Sequence, residues 1–410
     1  MFRSITVALV CAAAWSLALT ASADPSARLV TLEEAVARAL NAAPALKARE
    51  ELVTAAEAQI AQSGVLPNPT LEAEIENAAG SGRFSGFDQA EMTLGVSQRL
   101  ERGGKREGRV ALAETERDAA ALERDRARAT VAFEARKAFV ELFAAELARD
   151  NATTRLKAAA EIETMARRRV AAARDPLTTK LRAEIQTAEA KTARDQAERD
   201  VKNAKRALAL LWGEPAATFE IDASTLRNPP HTRTSTANTA LDLKASELAA
   251  RRAARKVDLE KANASSDVSL GVGIRRFEEG GEVAGVFSLS MPIALFDDNQ
   301  ANIDRAAAEQ RAADLDAADA RQRHLTSLIA LEEEEARARA DLDALRNDLL
   351  PRAKASLAEA RRGYNAGAFS YQEVAEAQRT LSDLTTREVA ALRSLHIAAA
   401  NLDRIKGIEP

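Results

Sequence analysis

Cysteine is almost missing from this chain. The single one, Cys11 among 410 residues, falls in a segment that reads as a removable leader. Arg3 opens that segment, ITVALVCAAAWSLAL is its apolar stretch, and Ala21-Ser22-Ala23 is an A-x-A cleavage signal before Asp24. Bulky Val10 in front of Cys11 argues against lipid attachment. The exported part is therefore expected to hold no disulfide and no thiolate metal site. Histidine is scarce as well: His231, His324 and His396 show no metal-ligand spacing, so packed or wetted roles suit them better than metal binding. Aromatic residues make up 4% of the chain, too few for one large globular core. No stretch beyond the leader reaches the roughly 18 continuous apolar residues of a membrane helix. Charge of one sign is also lacking. The formal net charge is -4 with both signs interspersed, which leaves nucleic-acid binding without support. Gly103-Gly104-Lys105 does not have the spacing of a phosphate loop. With no nucleophile–base pair or metal cluster either, no catalytic, cofactor-binding or metal residue is assigned, and the chain is not read as an enzyme.

What is present is Ala, Glu, Arg and Leu in abundance, the composition of long, closely packed helices, and an internal repeat. ARRRVAAARDPLTTKLRAEIQTA, from Ala166, matches ARRGYNAGAFSYQEVAEAQRTL, from Ala360, at an offset of 194 residues. Arg167 falls on Arg361, Ala183 on Ala377, and near the ends of the halves Leu208 falls on Leu402. EMTLGVSQRL, with Met92, Leu94 and Val96 alternating, lies opposite AGVFSLSMPI at an offset of 193. The expected organisation is a leader over 1–23, a first repeat over 24–213, a connector over 214–237 lying outside the body, and a second repeat over 238–410. Thr31 and Glu34 form a capping box for the first helix, and Pro44 starts the next.

Each repeat contains a period-two stretch and a very long helical one. The alternation predicts strands at about 69–77, 89–100, 266–277 and 282–293. Helix pairs are expected over 105–213 and 299–406. The run from Lys105 to Arg174 contains no proline and would extend roughly 105 Å at 1.5 Å per residue. A second run of similar length goes from Asn299 to Ala366. Asp175-Pro176 breaks the first rod and Gly367-Ala368 the second, and a shorter helix returns from each. Phe139, Phe143 and Leu147, with Leu342, Leu345 and Leu349, mark a packing seam. The pairs Glu333–Arg337 and Glu335–Arg339 decorate the wet face, and the run Glu332–Glu335 is read as solvated and paired with arginines rather than metal-binding. Gly103-Gly104 and Asp297-Asp298 turn the chain from strand to helix.

Strands of about ten residues cross a bilayer when tilted, but lipid admits them only in a closed barrel. Four cannot close, since the smallest single-chain bacterial barrels use eight. Other copies of the chain must complete the cylinder, and three copies give twelve strands around a pore. The fold class expected is mixed and mostly α. Duplicated helical hairpins form an α-barrel in the trimer, and four strands per chain contribute to a twelve-stranded outer-membrane β-barrel.

Thr31-Leu32-Glu33-Glu34-Ala35, Pro44 with Leu46 and Ala48, the duplicated hairpins, and Tyr364-Asn365-Ala366-Gly367 leading to Ala377-Gln378 together resemble the TolC-like outer-membrane efflux family over nearly the whole exported sequence. VSQRLERGGKREGRVALAE, from Val96, is most similar to the heavy-metal, cobalt–zinc–cadmium branch, chiefly through the Gly103-Gly104-Lys105-Arg106 corner. The resemblance implies a homotrimer in the outer membrane of a Gram-negative cell, with a long periplasmic extension. It would act as the passive duct of a tripartite system with a periplasmic adaptor and an inner-membrane RND-type pump. Heavy-metal cations are the expected cargo; drug or organic-solute efflux, or type I secretion, are alternatives on the same fold. It further implies that the tips Ala173, Arg174, Asp175 and Pro176, and Gly367, Ala368, Phe369 and Ser370, meet the adaptor. Glu373 and Glu376, three apart on one helix face, would ring the periplasmic mouth and favour cations. Two departures stand out. Ala173 occupies the place that Gly367 holds in the second tip, and Phe369 stands where some members carry a basic residue, which weakens the case for a charge lock at the mouth. A soluble periplasmic coiled-coil protein, or an adaptor, is the rival of another class. Adaptors carry one helical hairpin among β-rich domains, whereas this chain has two hairpins and few strands.

Overall fold

The computed structural model describes residues 28–215, 218–230 and 240–408. The expected leader with Cys11, His231, and parts of the connector lie outside the described residues. The chain begins with a short strand β1 (Arg28–Val30) and two helices, α1 (Leu32–Ala42) and α2 (Pro44–Ser63). A hairpin of β2 (Thr70–Glu76) and β3 (Glu91–Leu100) leads into α3 (Lys105–Ala171) and α4 (Leu177–Leu210). After the connector, which holds β4 (Phe219–Ile221), the order recurs. It runs α5 (Leu241–Asn263), β5 (Val268–Phe277), β6 (Val283–Ser290), α6 (Gln300–Ala344), α7 (Leu350–Ala366) and α8 (Tyr371–Ile405).

Local chemistry sets the starts and corners. The Thr31 hydroxyl accepts from the Glu34 amide at 3.2 Å, and the Glu34 carboxylate takes Arg38 at 2.6 Å. Pro44 stands in the first turn of α2, where a missing N–H costs nothing. At the first strand-to-helix corner Gly103 and Gly104 both have left-handed backbone, with φ of 73° and 77°. A Cβ on Gly103 would run into Ser265 and the Ala262 carbonyl, so glycine is required there twice over. The second corner uses Asn299, at φ 62°. The Asp297 and Asp298 carboxylates accept from the amides of Asn299 and Gln300, both at 3.0 Å, and satisfy helix-start donors that would otherwise be unpaired.

Helix α3 is a single rod of 67 residues, roughly 100 Å long at 1.5 Å per residue. It packs on α4, α2, α5 and α8. Midway along it, Phe139, Leu142 and Phe143 meet Leu208, Leu342, Leu392 and Leu395 in the principal core. The connector is not outside this body. Its Phe219 and Leu226 are buried in the same core, and β4 pairs in parallel with β1. Apolar side chains must be buried somewhere, and these two held the connector in place.

The second rod is not continuous. Leu345–Leu349 form a π-helical turn between α6 and α7, directly before Pro351, whose ring cannot fit beneath a regular α-helical carbonyl four residues back. One extra residue in that turn shifts the phase of the seam. Leu342 and Leu345 are buried as the spacing predicts, but the next buried position is Leu350, and Leu349 is only half-buried. From there the stripe continues through Ala353, Leu357, Ala360 and Tyr364.

The remaining strands form one antiparallel sheet in the order β2-β3-β5-β6. The two central strands have 10 residues each and the two edge strands 7 and 8. Strand β6 stops at Ser290, although the alternation of apolar residues runs on to Met291 and Ile293.

Candidate functional site: the sheet and the helical tips

Directly opposed residues in a sheet point to the same face, so the register sorts the side chains. One row carries Leu71, Val96, Val272 and Phe287; the next Ala73, Leu94, Ile274 and Gly285; a third Ile75, Met92, Arg276 and Val283. These apolar side chains are exposed, Phe287 by 86% and Leu71 by 71%. Five of them left in water would cost roughly 7–15 kcal/mol, comparable with the whole stability of a domain. The other face is polar. Ser97 donates to Glu72 at 2.6 Å, and Arg275 bridges Glu76 and Glu91, both at 2.8 Å, while donating to Thr93 at 2.9 Å. Among the described residues no helix is long and apolar enough to cross a membrane. The sheet is where the apolar surface lies.

At the far end of the rods, the two helix breaks have the same hydrogen-bond pattern 194 residues apart. In the first turn the Ala173 amide donates to the Val170 carbonyl and Arg174 to Arg169, each at 2.9 Å. In the second, Gly367 donates to Tyr364 at 3.1 Å and Ala368 to Gly363 at 2.8 Å. Gly367 has φ 84° and Ala173 φ 55°. The alanine therefore adopts the left-handed conformation its matching glycine takes freely, at a cost of about 1–2 kcal/mol.

A compact ionic network joins the turns. Arg169 of α3 donates to Asp175 through Nε at 2.9 Å and a second guanidinium nitrogen at 3.0 Å. Its third nitrogen donates to the Tyr364 carbonyl at 2.7 Å, and its guanidinium lies 4.6 Å from the Tyr364 ring centre. The Tyr364 hydroxyl completes the loop by donating to Asp175 at 2.6 Å. Arg169 holds the Asp175 carboxyl below the usual carboxylate range, helped by the Tyr364 hydroxyl. Burial pushes the phenol of Tyr364 up, and the neighbouring Asp175 adds to it. The sequence reading assigned Asp175 to partner contact, yet its charge is used inside the chain. Arg169 was not singled out. An arginine six residues before an aspartate at a helix break was the available signal.

The other tip residues divide likewise. Ala173, Arg174, Pro176, Gly367 and Ala368 are exposed. Phe369 is folded back over Gly363, where a Cβ would collide with its ring. Ser370 and Glu373 form a reciprocal capping box at the start of α8, the Ser370 amide donating to Glu373 at 2.5 Å. Glu373 is thus a helix cap, and Glu376 has no such task. Both line a groove of about 860 Å³ between α4 and α8, together with Arg182 and Arg379. In the acidic run, Glu333 pairs with Arg337 and Glu335 with Arg339, both at 2.8 Å, and Glu332 takes Lys406 at 2.9 Å. His396 is buried, with its Nε2 2.8 Å from the Leu226 carbonyl, and burial lowers its pKa. His324 is half-buried on α6.

The model of the family described as outer membrane efflux protein matches residues 35–214 and 234–407. The chain is 27% identical over 383 residues, 92% of its length and 90% of the relative's, to the cobalt-zinc-cadmium resistance protein CzcC of Cupriavidus metallidurans. It is 27% identical over 278 residues, 67% of its length and 63% of the relative's, to the nickel-cobalt-cadmium resistance protein NccC of Alcaligenes xylosoxydans xylosoxydans. Among solved structures, a membrane protein from Pseudomonas aeruginosa is similar with a TM-score of 0.77 at 19% identity, covering 92% of this chain and 93% of that one. CusC is similar with a TM-score of 0.76 at 16% identity, covering 92% and 91%. At such identities the likeness of the structures concerns the fold.

Proposed function

Because the chain belongs to the outer membrane efflux protein family, we propose that it is the exit duct of a tripartite efflux system and passively conducts heavy-metal cations to the exterior. The observation that carries this reading is the four-stranded sheet, apolar and exposed on one face, polar on the other, with unpaired backbone along β2 and β6. Hydrocarbon rewards the apolar face but punishes open edges, so the barrel is completed by two further copies. Twelve strands then enclose a pore lined by the Glu, Ser, Thr and Gly of the polar face. The rods hang roughly 100 Å from it, long enough to carry the tips deep into the periplasm.

There the exposed tip residues Ala173, Arg174, Pro176, Gly367 and Ala368 meet a periplasmic adaptor, itself joined to an inner-membrane RND-type pump. Selection of cargo belongs to the pump; the duct contributes exclusion and electrostatics. Glu376, with Glu373, places carboxylates around the mouth of the trimer, where a narrow opening focuses their field on cations. The metal cargo is supported by the likeness to CzcC and NccC, both of which are named as metal resistance proteins.

Deleting the gene and challenging the strain with cobalt, zinc, cadmium and nickel salts tests the proposal. Sensitivity to these metals that the intact gene restores is the expected result. Altered tolerance of drugs or detergents alone would transfer the duct to organic solutes, and a freely soluble periplasmic monomer would end the duct reading.

A further inference from the structure

The internal repeat also dictates how a second copy meets the open sheet edges; this inference rests on the oligomeric barrel proposed above. Inside one chain the two hairpins meet along β3 and β5, with Leu94 opposite Ile274, Val96 opposite Val272 and Ser97 opposite Gly271. The hairpins themselves correspond: the Thr70–Ser97 pair of the first matches the Ser269–Ser290 pair of the second, in keeping with the 193-residue offset of their second strands. In a ring where repeats alternate, the contact inside a chain recurs between chains, with β6 in place of β3 and β2 in place of β5. We propose that β6 of one copy pairs antiparallel with β2 of the next, setting Phe287 opposite Ile75, Leu289 opposite Ala73 and Ser290 opposite Glu72 of the neighbouring copy.

Three observations agree with that register. It keeps the faces intact, apolar beside apolar and serine beside glutamate, whereas a slip of one residue would set Phe287 against a carboxylate. It gives the neighbour's Glu72 a second hydroxyl donor, Ser290, equivalent to the Ser97 hydroxyl that already serves it at 2.6 Å. It also extends past the strand end. Within a chain the same line runs on to Gly103, pressed against Ser265. Between chains that step brings Phe296, wholly exposed, against Leu66 of the neighbour, 60% exposed. The chain thus closes its internal seam with bare backbone and its intermolecular seam with an apolar plug at the periplasmic rim. Met291, stranded beyond β6, falls opposite Leu71.

Paired cysteines read the register directly, in full-length protein with Cys11→Ser. Opposed residues lie about 4.5–5.5 Å apart between Cα atoms and diagonal ones about 7–8 Å, while a disulfide needs about 4.4–6.8 Å. Leu289→Cys with Ala73→Cys, and separately Ser290→Cys with Glu72→Cys, should oxidise under copper phenanthroline in membranes to a covalent ring of chains on a non-reducing gel. Leu289→Cys with Leu71→Cys or Ile75→Cys should stay monomeric on that gel. Native mass measurement of the cysteine-free protein gives the assembly state independently. A trimer that crosslinks only at the diagonal pairs, or at none, overturns the register alone. A monomer overturns the barrel beneath it.

Discussion

Removing one hydroxyl from the clamp between the tips should loosen both helical turns at once. In Tyr364→Phe the ring stays, still buried, and Arg169 still grips Asp175 through two bonds at 2.9 and 3.0 Å. What disappears is the 2.6 Å bond from the phenol to the carboxylate. A hydrogen bond to a charged group contributes about 1.5–3 kcal/mol. Since Asp175 keeps its arginine and is not left orphaned, the lower end applies, and about 1.4 kcal/mol is a factor of ten. Hydrogen exchange of the Arg174 and Ala368 amides should therefore quicken roughly tenfold, although the substitution lies on only one of the two hairpins. Asp175→Asn leaves Arg169 without its ion-pair partner in a largely buried site and should cost about 3–5 kcal/mol. In planar bilayers both variants should raise the open time of the channel, Asp175→Asn more. The Asp175 pKa is depressed, so the clamp is complete above about pH 4 and weakens only as pH falls through the lower folded value. Unchanged exchange at Arg174 in Tyr364→Phe would refute the idea that the network couples the turns.

Ala173→Gly should relieve the left-handed strain and stabilise the first turn by up to about 1 kcal/mol, the gain being trimmed by the looser unfolded chain; slower exchange at Arg174 checks it. Glu376→Gln should lower single-channel cation selectivity, with Glu373→Gln deepening the effect while its amide oxygen still caps α8; unaltered reversal potentials in a salt gradient would remove the carboxylate ring. His396 has a pKa lowered by burial, so its share of stability is present above roughly pH 6.5 and is lost as pH falls through the depressed folded value. Exchange of amides 219–228 should accordingly be faster at pH 5 than at pH 7.5, and His396→Gln should flatten that difference.

Much of this was legible before any coordinates. The mostly helical class with a few strands follows from composition and period, and the offset of 194 anticipated two turns that share their bonding amide by amide. Strand pairs were visible because alternation is local. The β1–β4 contact was not, since two three-residue strands nearly 200 positions apart carry no periodic signal. The π-turn was overlooked although Pro351 announced it. The spacing rule that named Leu349 assumes an unbroken α-helix, and one added residue moved the buried position to Leu350. Glu373 illustrates a different limit. Its spacing from Glu376 suggested a shared task, but the serine three residues before it claims the carboxylate for the backbone.

That interrupted rod has a mechanical meaning. Helix α3 is a straight column with every turn alike, whereas its counterpart has a joint at Leu345–Leu349, braced to α8 only by the 2.7 Å contact of Arg346 with Glu388. Sideways force on the distal end is absorbed where the winding is slack, so the second hairpin swings from that elbow while the first stands as the post.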